Sequence, residues 1–423
     1  MTAERNGREG DAGATPVRRR PRDRKAQIVK IAAAAFGERG YYSVGVDEIA
    51  AEVGISGPAL YRHFPNKYAL LVAVADNVVN ALLDATAAAA ELPAPSDQLY
   101  ETLRTITSVT IENRRGGGIY RWEGHYLDPA DRARIRELWD EVNLRVARPL
   151  RALRPQLDDA SIATLAAAAL SVIASITAHR LALGTRRTEV LICDMATAVL
   201  GADLPPVGTG SADEQKPDRG LAVLAKREVL IATALEFIHT RGYHEASIED
   251  IGAAAGMNAS SVYRHFSSKA ELLAAVFYRA SERVAVVIAD ALAESDSPVD
   301  ALQNLARRYV ATAFSHPSLM SVYYVEFGNL PPHERKNLRL LQRQHVDQWA
   351  HLVTSEIPEL SQLEARFRVH AALGLVLDIG RLVRFDTNPE ILERVSHLML
   401  TVLLAADRSA VAIDTQLVPN DNK

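Results

Sequence analysis

Cysteine is nearly absent from this sequence of 423 residues, and the charges of the two signs nearly cancel. The single cysteine, Cys193, excludes an internal disulfide and a cysteine metal cage, and the apolar run around it predicts a buried thiol. The 48 basic and 52 acidic side chains leave a net charge of −4, so no overall positive field identifies a nucleic-acid binder. Any contact with nucleic acid must therefore come from local patches.

Sequence signals for secretion, membrane spanning and catalysis are also missing. Residues 1–16 carry mixed charges and glycines without an apolar core, which predicts a cytoplasmic protein. The longest uncharged run, 160–179, is rich in alanine and predicts a buried helix rather than a membrane span. No Gly-x-Ser-x-Gly elbow, phosphate-binding glycine loop or paired-histidine helix occurs, so we predict no enzymatic activity, no cofactor and no metal site.

What the sequence does contain is an internal repeat with a period of 202 residues. The segment from Arg39-Gly-Tyr to Leu70-Leu71 recurs from Arg241-Gly-Tyr to Leu272-Leu273 without an insertion. Weaker matches continue at an offset of 203 as far as Arg136 and Arg339. The whole unit is therefore duplicated.

Both copies are predicted to be all-α, because apolar residues recur three and four positions apart and strand-like alternation is missing. The stripes that these residues form are interpreted as core. The longer predicted helices cover 67–90, 97–114, 130–153, 158–182 and 187–201 in the first copy, and 269–294, 299–314, 333–354, 361–384 and 388–405 in the second.

The repeated segment has the pattern of a helix-turn-helix motif: a long helix, an Arg-Gly-Tyr break, and two short helices separated by a glycine. Gly54 and Gly256 occupy the turn, where a residue that adopts positive φ bends the chain at least cost. Ser247 is predicted to cap the first short helix of the second copy, whereas Gly45 in the first copy offers no capping oxygen. The second short helix of each motif is the predicted reading helix.

Each reading helix begins with small residues, which let its N-terminal end enter a major groove about 12 Å wide. The tyrosine, arginine and histidine that follow reach the DNA backbone or a guanine, and the next lysine adds charge. Phe64 is predicted to be core, whereas the hydroxyl of Tyr61 favours DNA over burial. The predicted DNA-contacting residues are Ser56, Gly57, Pro58, Ala59, Tyr61, Arg62, His63 and Lys67 in the first copy, and Asn258, Ala259, Ser260, Ser261, Tyr263, Arg264, His265 and Lys269 in the second.

A basic run precedes the first motif. Such a run is typical of a solvated tail or of an arm that enters a minor groove, and its place before a helix-turn-helix favours the arm. Residues 18–71 hold ten basic and five acidic side chains, whereas 226–273 hold five and six, so the first copy is expected to bind phosphates more strongly. The predicted arm residues are Arg18, Arg19, Arg20 and Arg22.

The segment RGYYSVGVDEIAAEVGISGPALYRHFPNKYALL and its second copy resemble the DNA-binding region of the TetR family of bacterial repressors. The spacing Gly-(x)6-Tyr-x-His-Phe-x-x-Lys occurs in both copies, but Gly252 stands where the first copy keeps the family's small residue as Ala50. The tandem arrangement resembles fused double-TetR regulators of the mammalian-cell-entry operon repressor type. This resemblance implies two TetR-like units, each a helix-turn-helix domain followed by a helical ligand or dimerisation domain.

On this basis the chain divides into seven predicted segments. They are a disordered tail at 1–17, a first helix-turn-helix domain with its basic arm at 18–71, a first ligand or dimerisation domain at 72–203, a Pro- and Gly-rich linker at 204–220, a second helix-turn-helix domain at 221–273, a second ligand or dimerisation domain at 274–406, and a C-terminal tail at 407–423.

In ordinary family members two chains pair through their last two helices. The resemblance therefore implies that helices 158–182 and 187–201 pair with 361–384 and 388–405, so that one chain forms an intramolecular pseudo-dimer. Such a chain acts as a monomer or associates further as a homodimer. The residues Gly57-Pro58-Ala59 of the first reading helix occupy the same repeat positions as Ala259-Ser260-Ser261 of the second. Because these residues differ, the two DNA half-sites are expected to differ as well.

The implied function is a ligand-responsive repressor that binds a double-stranded DNA operator and a small apolar effector. The alternative is a duplicated helical protein that binds a partner or metabolite and has lost DNA binding, and a gel shift separates the two. Aromatic residues in the later helices fit either plain core or the wall of an effector pocket. The candidate ligand-binding residues are Trp122, Tyr126, Tyr323, Tyr324 and Phe327.

Overall fold

A computed structural model describes residues 21–116, 118, 124–206 and 225–406, and over these ranges the chain contains helices, turns and loops but no strand. The all-α prediction is therefore confirmed. The helices of the first half are α1 (Pro21–Arg39), α2 (Val46–Val53), α3 (Gly57–Tyr61), α4 (Lys67–Ala90), α5 (Pro95–Glu112), α6 (Pro129–Leu153), α7 (Asp159–Ala174) and α8 (Thr185–Gly201).

The second half repeats this order after the predicted linker, of which only residues 204–206 are described. Short 3₁₀ turns lie at 124–126, 175–177 and 326–329. The helices are α9 (Lys226–Arg241), α10 (Ile248–Ala254), α11 (Ala259–Tyr263), α12 (Lys269–Ala293), α13 (Pro298–Ser315), α14 (Pro317–Val325), α15 (Pro332–Glu356), α16 (Gln362–Leu382) and α17 (Pro389–Leu403).

Two of the sequence-based helix assignments need correction. The helix predicted over 158–182 ends at Ala174 and continues only as a 3₁₀ turn to Thr177. The Arg114 guanidinium donates to the carbonyl oxygens of Ile176 and His179 at 2.8 and 2.9 Å, and so takes acceptors that a longer helix would use. Helix α14 was not predicted; it starts directly after α13 because Pro317 occupies its first turn.

Three hydrophobic cores organise the molecule. Each helix-turn-helix domain has its own core, around Ile28 and Phe36 in the first copy and around Leu230 and Phe277 in the second. The third core is shared, since buried side chains of both halves belong to a single cluster. The two ligand domains therefore cannot separate without exposing apolar surface, which is the main driving force for their association.

The shared core is formed where α7 packs against α16 and α8 packs against α17. Small buried residues, including Ala168 and Ala372, line these helices, and polar contacts surround the crossing. Ser171 Oγ donates to Asp378 Oδ2 at 2.5 Å, and Arg187 pairs with Glu364. The predicted intramolecular pseudo-dimer is thereby confirmed.

Two apolar helices satisfy the length and composition of a membrane span, namely Lys67–Ala90 and Asp159–Thr177. The second was predicted to be a buried helix, and 61% of its most apolar window is buried inside the protein. The first crosses the predicted boundary between the helix-turn-helix domain and the ligand domain at residue 71, and α12 does the same at residue 273. Each reading domain is thus joined to its ligand domain by one continuous helix.

A histidine pair lies at the junction of the two halves. His179 of the first half stacks on His370 of the second, with ring centroids 4.6 Å apart. Burial, together with the guanidinium groups of Arg114 and Arg366, lowers the pKa of His370 to about 4. Burial, the neighbouring His370 and the guanidinium groups of Arg114 and Arg180 lower the pKa of His179 as well.

We expect acid to loosen this junction. Because the pKa of His370 in the folded protein lies below its ordinary 6.5, the unfolded chain binds more protons as the pH falls from about 6.5 to 4, and the free energy of unfolding decreases over this window. Urea unfolding at several pH values measures the slope. His370→Ala, which installs the residue found at the repeat position Ala167, should give a flatter slope; an unchanged slope would show that His370 is not responsible.

Candidate nucleic-acid interface

The first helix-turn-helix motif is positioned by a small apolar core. Ile49 of α2 and Leu60 of α3 are buried against α1, and Phe64 is only 3% exposed, as predicted for a core residue. Gly54 has a φ of 76°, and its N–H bonds the carbonyl oxygen of Ala51 at the end of α2. The left-handed glycine therefore sets the angle between α2 and the reading helix α3.

The second motif repeats this geometry. Gly256 has a φ of 69°, while Ile251 and Phe266 are buried. Ser247 Oγ accepts a hydrogen bond from the N–H of Asp250 at 3.0 Å, whereas Gly45 leaves α2 without a side-chain cap. Both predictions about capping are confirmed.

The structure explains why the second motif has Gly252 where the first has Ala50. A Cβ atom built on Gly252 would lie 2.6 Å from Cγ2 of Val262, far inside van der Waals contact. The repeat position of Val262 is Leu60, which does not branch at Cβ. The glycine therefore compensates for a branched side chain on the facing helix.

We expect Gly252→Ala to lower the free energy of unfolding by about 1–2 kcal/mol, since overpacking outweighs the gain in helix propensity. The double variant Gly252→Ala, Val262→Leu rebuilds the pair of the first motif and should recover most of that loss. Thermal or urea unfolding of the single and double variants measures the coupling. Additive losses in the double variant would contradict the steric explanation.

The two reading tyrosines are equally accessible but differ in their surroundings. Tyr61 and Tyr263 are each 49% exposed. Tyr263 donates its hydroxyl to Glu249 Oε1 at 3.2 Å, and this hydrogen bond raises the pKa of Tyr263. Within the described part of the chain, the hydroxyl of Tyr61 has no hydrogen-bond partner and remains available for a phosphate. A carboxylate beside Tyr263 repels a phosphate, so the second reading helix is expected to be the weaker site for the DNA backbone.

The serines of the second reading helix differ from the prediction. Ser261 is buried, and its Oγ accepts a hydrogen bond from Nη2 of Arg264 at 3.1 Å, so the expectation that it contacts a base is corrected. Ser260 is exposed and donates to Oδ1 of Asn258 at 3.0 Å. Asn258 Oδ1 also accepts from the N–H of Ser261 and so caps α11. The sequence could not show this because it does not reveal which side of a one-turn helix faces the core.

The two lysines after the reading helices hold the Arg-Gly-Tyr loops. Lys269 donates to the carbonyl oxygens of Tyr243 and Ala246 at 2.6 and 2.7 Å, and burial lowers its pKa. The Lys67 ammonium lies 4.5 Å from the centroid of the Tyr41 ring. Both lysines therefore contact the loop between the first and second helix of the motif, and their contribution of charge to DNA binding stays a prediction.

The end of the basic run before the first motif lies in α1. Arg18, Arg19 and Arg20 lie outside the described residues, but Arg22 lies in the first turn of α1. Arg24 donates to the carbonyl oxygen of Val53 at 3.1 Å, and the Lys25 ammonium lies 5.3 Å from the centroid of the Phe64 ring. Arg22 thus lies inside α1, which begins at Pro21, and the prediction that it belongs to an arm entering a minor groove stays a prediction.

The other predicted contact residues form an accessible rim around each reading helix. Their direct roles in DNA binding stay predictions. In the first copy Gly57 lets α3 approach the Asp47 side chain of α2 closely, since a Cβ atom on Gly57 would lie 2.1 Å from Oδ1 of Asp47. The exposed members are Ser56, Pro58 and Arg62 in the first copy and Asn258, Ala259 and Arg264 in the second, and the half-buried ones are Gly57, Ala59, His63 and His265.

The two motifs adjoin each other inside one chain, which the sequence did not reveal. The Tyr42 ring of the first Arg-Gly-Tyr loop lies 4.5 Å from the His244 ring of the second loop, centroid to centroid. Tyr126 packs edge-on against Tyr42 at 4.7 Å. The two reading domains are therefore in direct contact and are not separate heads on a free linker.

The candidate ligand residues belong partly to the core. Tyr323 and Phe327 pack on the Phe277 ring at centroid distances of 5.1 and 5.8 Å, as expected for plain core. Tyr324 packs edge-on against Tyr323, and Tyr126 packs on the Arg-Gly-Tyr loop as described above. Trp122 lies outside the described residues.

Comparison with known proteins identifies both motifs. The family of bacterial regulatory proteins called the tetR family matches residues 28–74 and 230–276, the two segments just described. These matches coincide with the helix-turn-helix cores and with the duplication found in the sequence.

Among curated proteins, the HTH-type transcriptional activator FasR of Mycolicibacterium smegmatis is 42% identical over 90 residues, which is 20% of this chain and 41% of FasR. The HTH-type transcriptional regulator EthR of Mycobacterium tuberculosis is 37% identical over 76 residues, 18% of this chain and 35% of EthR. The chain thus matches less than half the length of these relatives. Among solved structures, the TetR-family regulator PfmR of Thermus thermophilus is 25% identical, with a TM-score of 0.36 over 41% of this chain and 97% of PfmR.

Proposed function

Because this chain belongs to the TetR family through two DNA-binding domains in tandem, we propose that it is a transcriptional regulator in which one polypeptide supplies both readers of a DNA operator. The observation that carries the proposal is the pair of short helices α3 and α11, which expose Tyr61 and Tyr263 on two motifs joined through one shared core. Joining two readers makes the second contact intramolecular, which raises affinity by about 10²–10⁴ without new contacts.

The two readers are unequal, so we propose that the operator is asymmetric. Pro58 and Ala59 face one half-site, whereas Asn258 and Ser260 offer polar groups to the other. Different donors and acceptors in the major groove select different bases. In an unbiased selection from random duplexes, the recovered sites should therefore have two dissimilar halves, and recovery of a perfect palindrome would contradict the asymmetry.

We propose repression in response to a ligand as the mode of control, following the family resemblance, although FasR is named an activator. A ligand acts here only if its affinity differs between two arrangements of the readers. A reporter fused to a target promoter, measured with and without the gene for this chain, gives the direction of control. Higher reporter activity without the gene supports repression, and lower activity contradicts it.

The experiment that tests the function as a whole is selection of bound fragments from the source genome, followed by light scattering of the purified complex. We expect specific fragments and one tandem chain on each site, because the shared core already joins both readers. Failure to bind any duplex, including the DNA upstream of its own gene in a gel shift, would instead favour the helical partner- or metabolite-binding protein.

A further inference from the structure

A cavity of about 1030 Å³ lies between the first reading domain and the second ligand domain. Its walls are the end of α1 with the loop that follows it, the turn after α7, and the segment from α14 to α15. Both halves of the chain therefore contribute to it, and its volume suits a drug-sized molecule. Among the residues that line it, Tyr42 and His244 are the two that join the reading domains.

The cavity is strongly basic in a chain whose net charge is negative. Seven arginine or lysine side chains line it, against two acidic ones, Glu38 and Asp347. Both carboxylates are already in ion pairs, Glu38 with Arg115 and Asp347 with Arg366. Asp347 thus neutralises one cation of the lining, but two carboxylates cannot balance seven basic side chains, and the remaining positive charge attracts an anion.

This charge distinguishes the cavity from the equivalent positions of the first half. Helices α6 and α15 match at an offset of 203, and so do the N-caps Asp158 and Ser361 of α7 and α16. Two of the seven basic lining residues belong to the first half, but three of those in the second half have no basic counterpart in the first. At that offset Lys336, Arg343, Arg366 and His370 correspond to Ala133, Asp140, Ala163 and Ala167.

One buried donor in the cavity wall is unsatisfied. His179 is 6% exposed, and its Nδ1 accepts from Nη2 of Arg114 at 3.0 Å and from the N–H of Leu181 at 3.3 Å. The ring proton therefore resides on Nε2, which has no hydrogen-bond partner among the described residues. A buried N–H without an acceptor is costly.

Part of the remaining lining is apolar or aromatic. Phe36, Tyr323 and Phe327 form part of the wall, and Leu340 stands at the rim with 58% of its surface exposed. An exposed leucine beside arginines fits a molecule that is charged at one end and apolar at the other.

We propose that this cavity binds an anionic amphiphile, a molecule with a carboxylate, sulfonate or phosphate group and an aliphatic or aromatic body. The acidic group lies between Lys336 and Arg343, and the apolar body lies against the aromatic wall. A regulatory role for this site rests on the proposed function, because the bound molecule would contact both the first reading domain and the second ligand domain. Binding itself does not require DNA.

The test uses the full-length chain and two dyes with related apolar rings. The sulfonate 1-anilinonaphthalene-8-sulfonate should bind with a fluorescence increase, and the double variant Lys336→Ala, Arg343→Asp should bind it about tenfold more weakly, as expected for loss of two charged partners. The uncharged N-phenyl-1-naphthylamine should bind both proteins alike. Arg186→Asp, an exposed substitution outside the cavity that changes the charge as Arg343→Asp does, is the control and should leave both titrations unchanged.

Three outcomes would overturn the proposal: equal losses for both dyes, which indicate an apolar surface without anion recognition; no loss in the double variant; or the same loss in Arg186→Asp. Gel shifts without dye complete the test. If the double variant binds operator about tenfold more weakly than the unsubstituted chain and Arg186→Asp does not, the basic residues contact phosphates of DNA and the ligand assignment fails. Dye binding in a chain that binds no DNA would leave this site intact while rejecting the proposed function.

Discussion

Tyr61→Phe should weaken binding to a selected operator about tenfold to a hundredfold, whereas Tyr263→Phe should change it less than about threefold. The substitution removes only a hydroxyl. In the first motif that hydroxyl is free to bond a charged phosphate, and in the second it is already bonded to Glu249. The first motif also carries more positive charge than the second. Titrations at one fixed salt concentration measure the two losses.

Glu249→Gln provides the control for this ordering. It removes the negative charge beside Tyr263 while leaving an oxygen that accepts the same hydrogen bond. Binding should become tighter, and Tyr263→Phe introduced in that background should then cost more than it does alone. Equal losses for Tyr61→Phe and Tyr263→Phe in the unsubstituted chain would reject the inequality of the two readers.

Arg368→Met should lower the free energy of unfolding by about 3 kcal/mol or more. The Arg368 side chain is fully buried in the shared core, where its guanidinium donates to the carbonyl oxygens of Leu403 and Ala405 at the end of α17. Methionine fills much of the space but leaves those carbonyl groups without donors and removes a cation from a helix C-terminus. Urea unfolding followed by circular dichroism measures the loss.

A second arginine has the same function in the first half. Arg154 is 4% exposed and donates to the carbonyl oxygens of Leu200 and Ala202 at 2.9 and 2.8 Å, so Arg154→Met should cost a similar amount. Arg148→Met is the surface control, because its exposed ion pair with Glu141 contributes less than about 1 kcal/mol. If the buried variants were as stable as the surface variant, the shared core would not depend on these caps.

The sequence predicted the local features of this protein well because they depend on residues close together in the chain. Helix α4 was predicted with its observed bounds, and most other long helices within three residues. The turn glycines Gly54 and Gly256 have the positive φ that the motif requires. The cap at Ser247 follows from spacing alone.

Predictions for the reading helices were less successful where a side chain has two possible directions. Ser261 and Lys269 have the residue types of a DNA contact, but the first is buried and the second donates to three carbonyl oxygens of its own loop. In a helix of five residues, apolar periodicity is too short to tell the core face from the groove face. The sequence also did not explain Gly252, because this position needs a glycine only to make room for the Val262 side chain on the facing helix.

The sequence by itself determined that the chain is a duplicated all-α protein with two helix-turn-helix motifs, because helical periodicity, turn glycines and the repeat are written in neighbouring residues. Only the tertiary structure showed that the Tyr42 ring contacts the His244 ring, that the hydroxyl of Tyr263 donates a hydrogen bond to Glu249, and that a basic cavity lies between the halves. The contact between Tyr42 and His244 and the cavity join residues far apart in the chain, and their geometry is set by how the shared core packs the two halves together. The contact between Glu249 and Tyr263 depends on how two short helices pack within one motif.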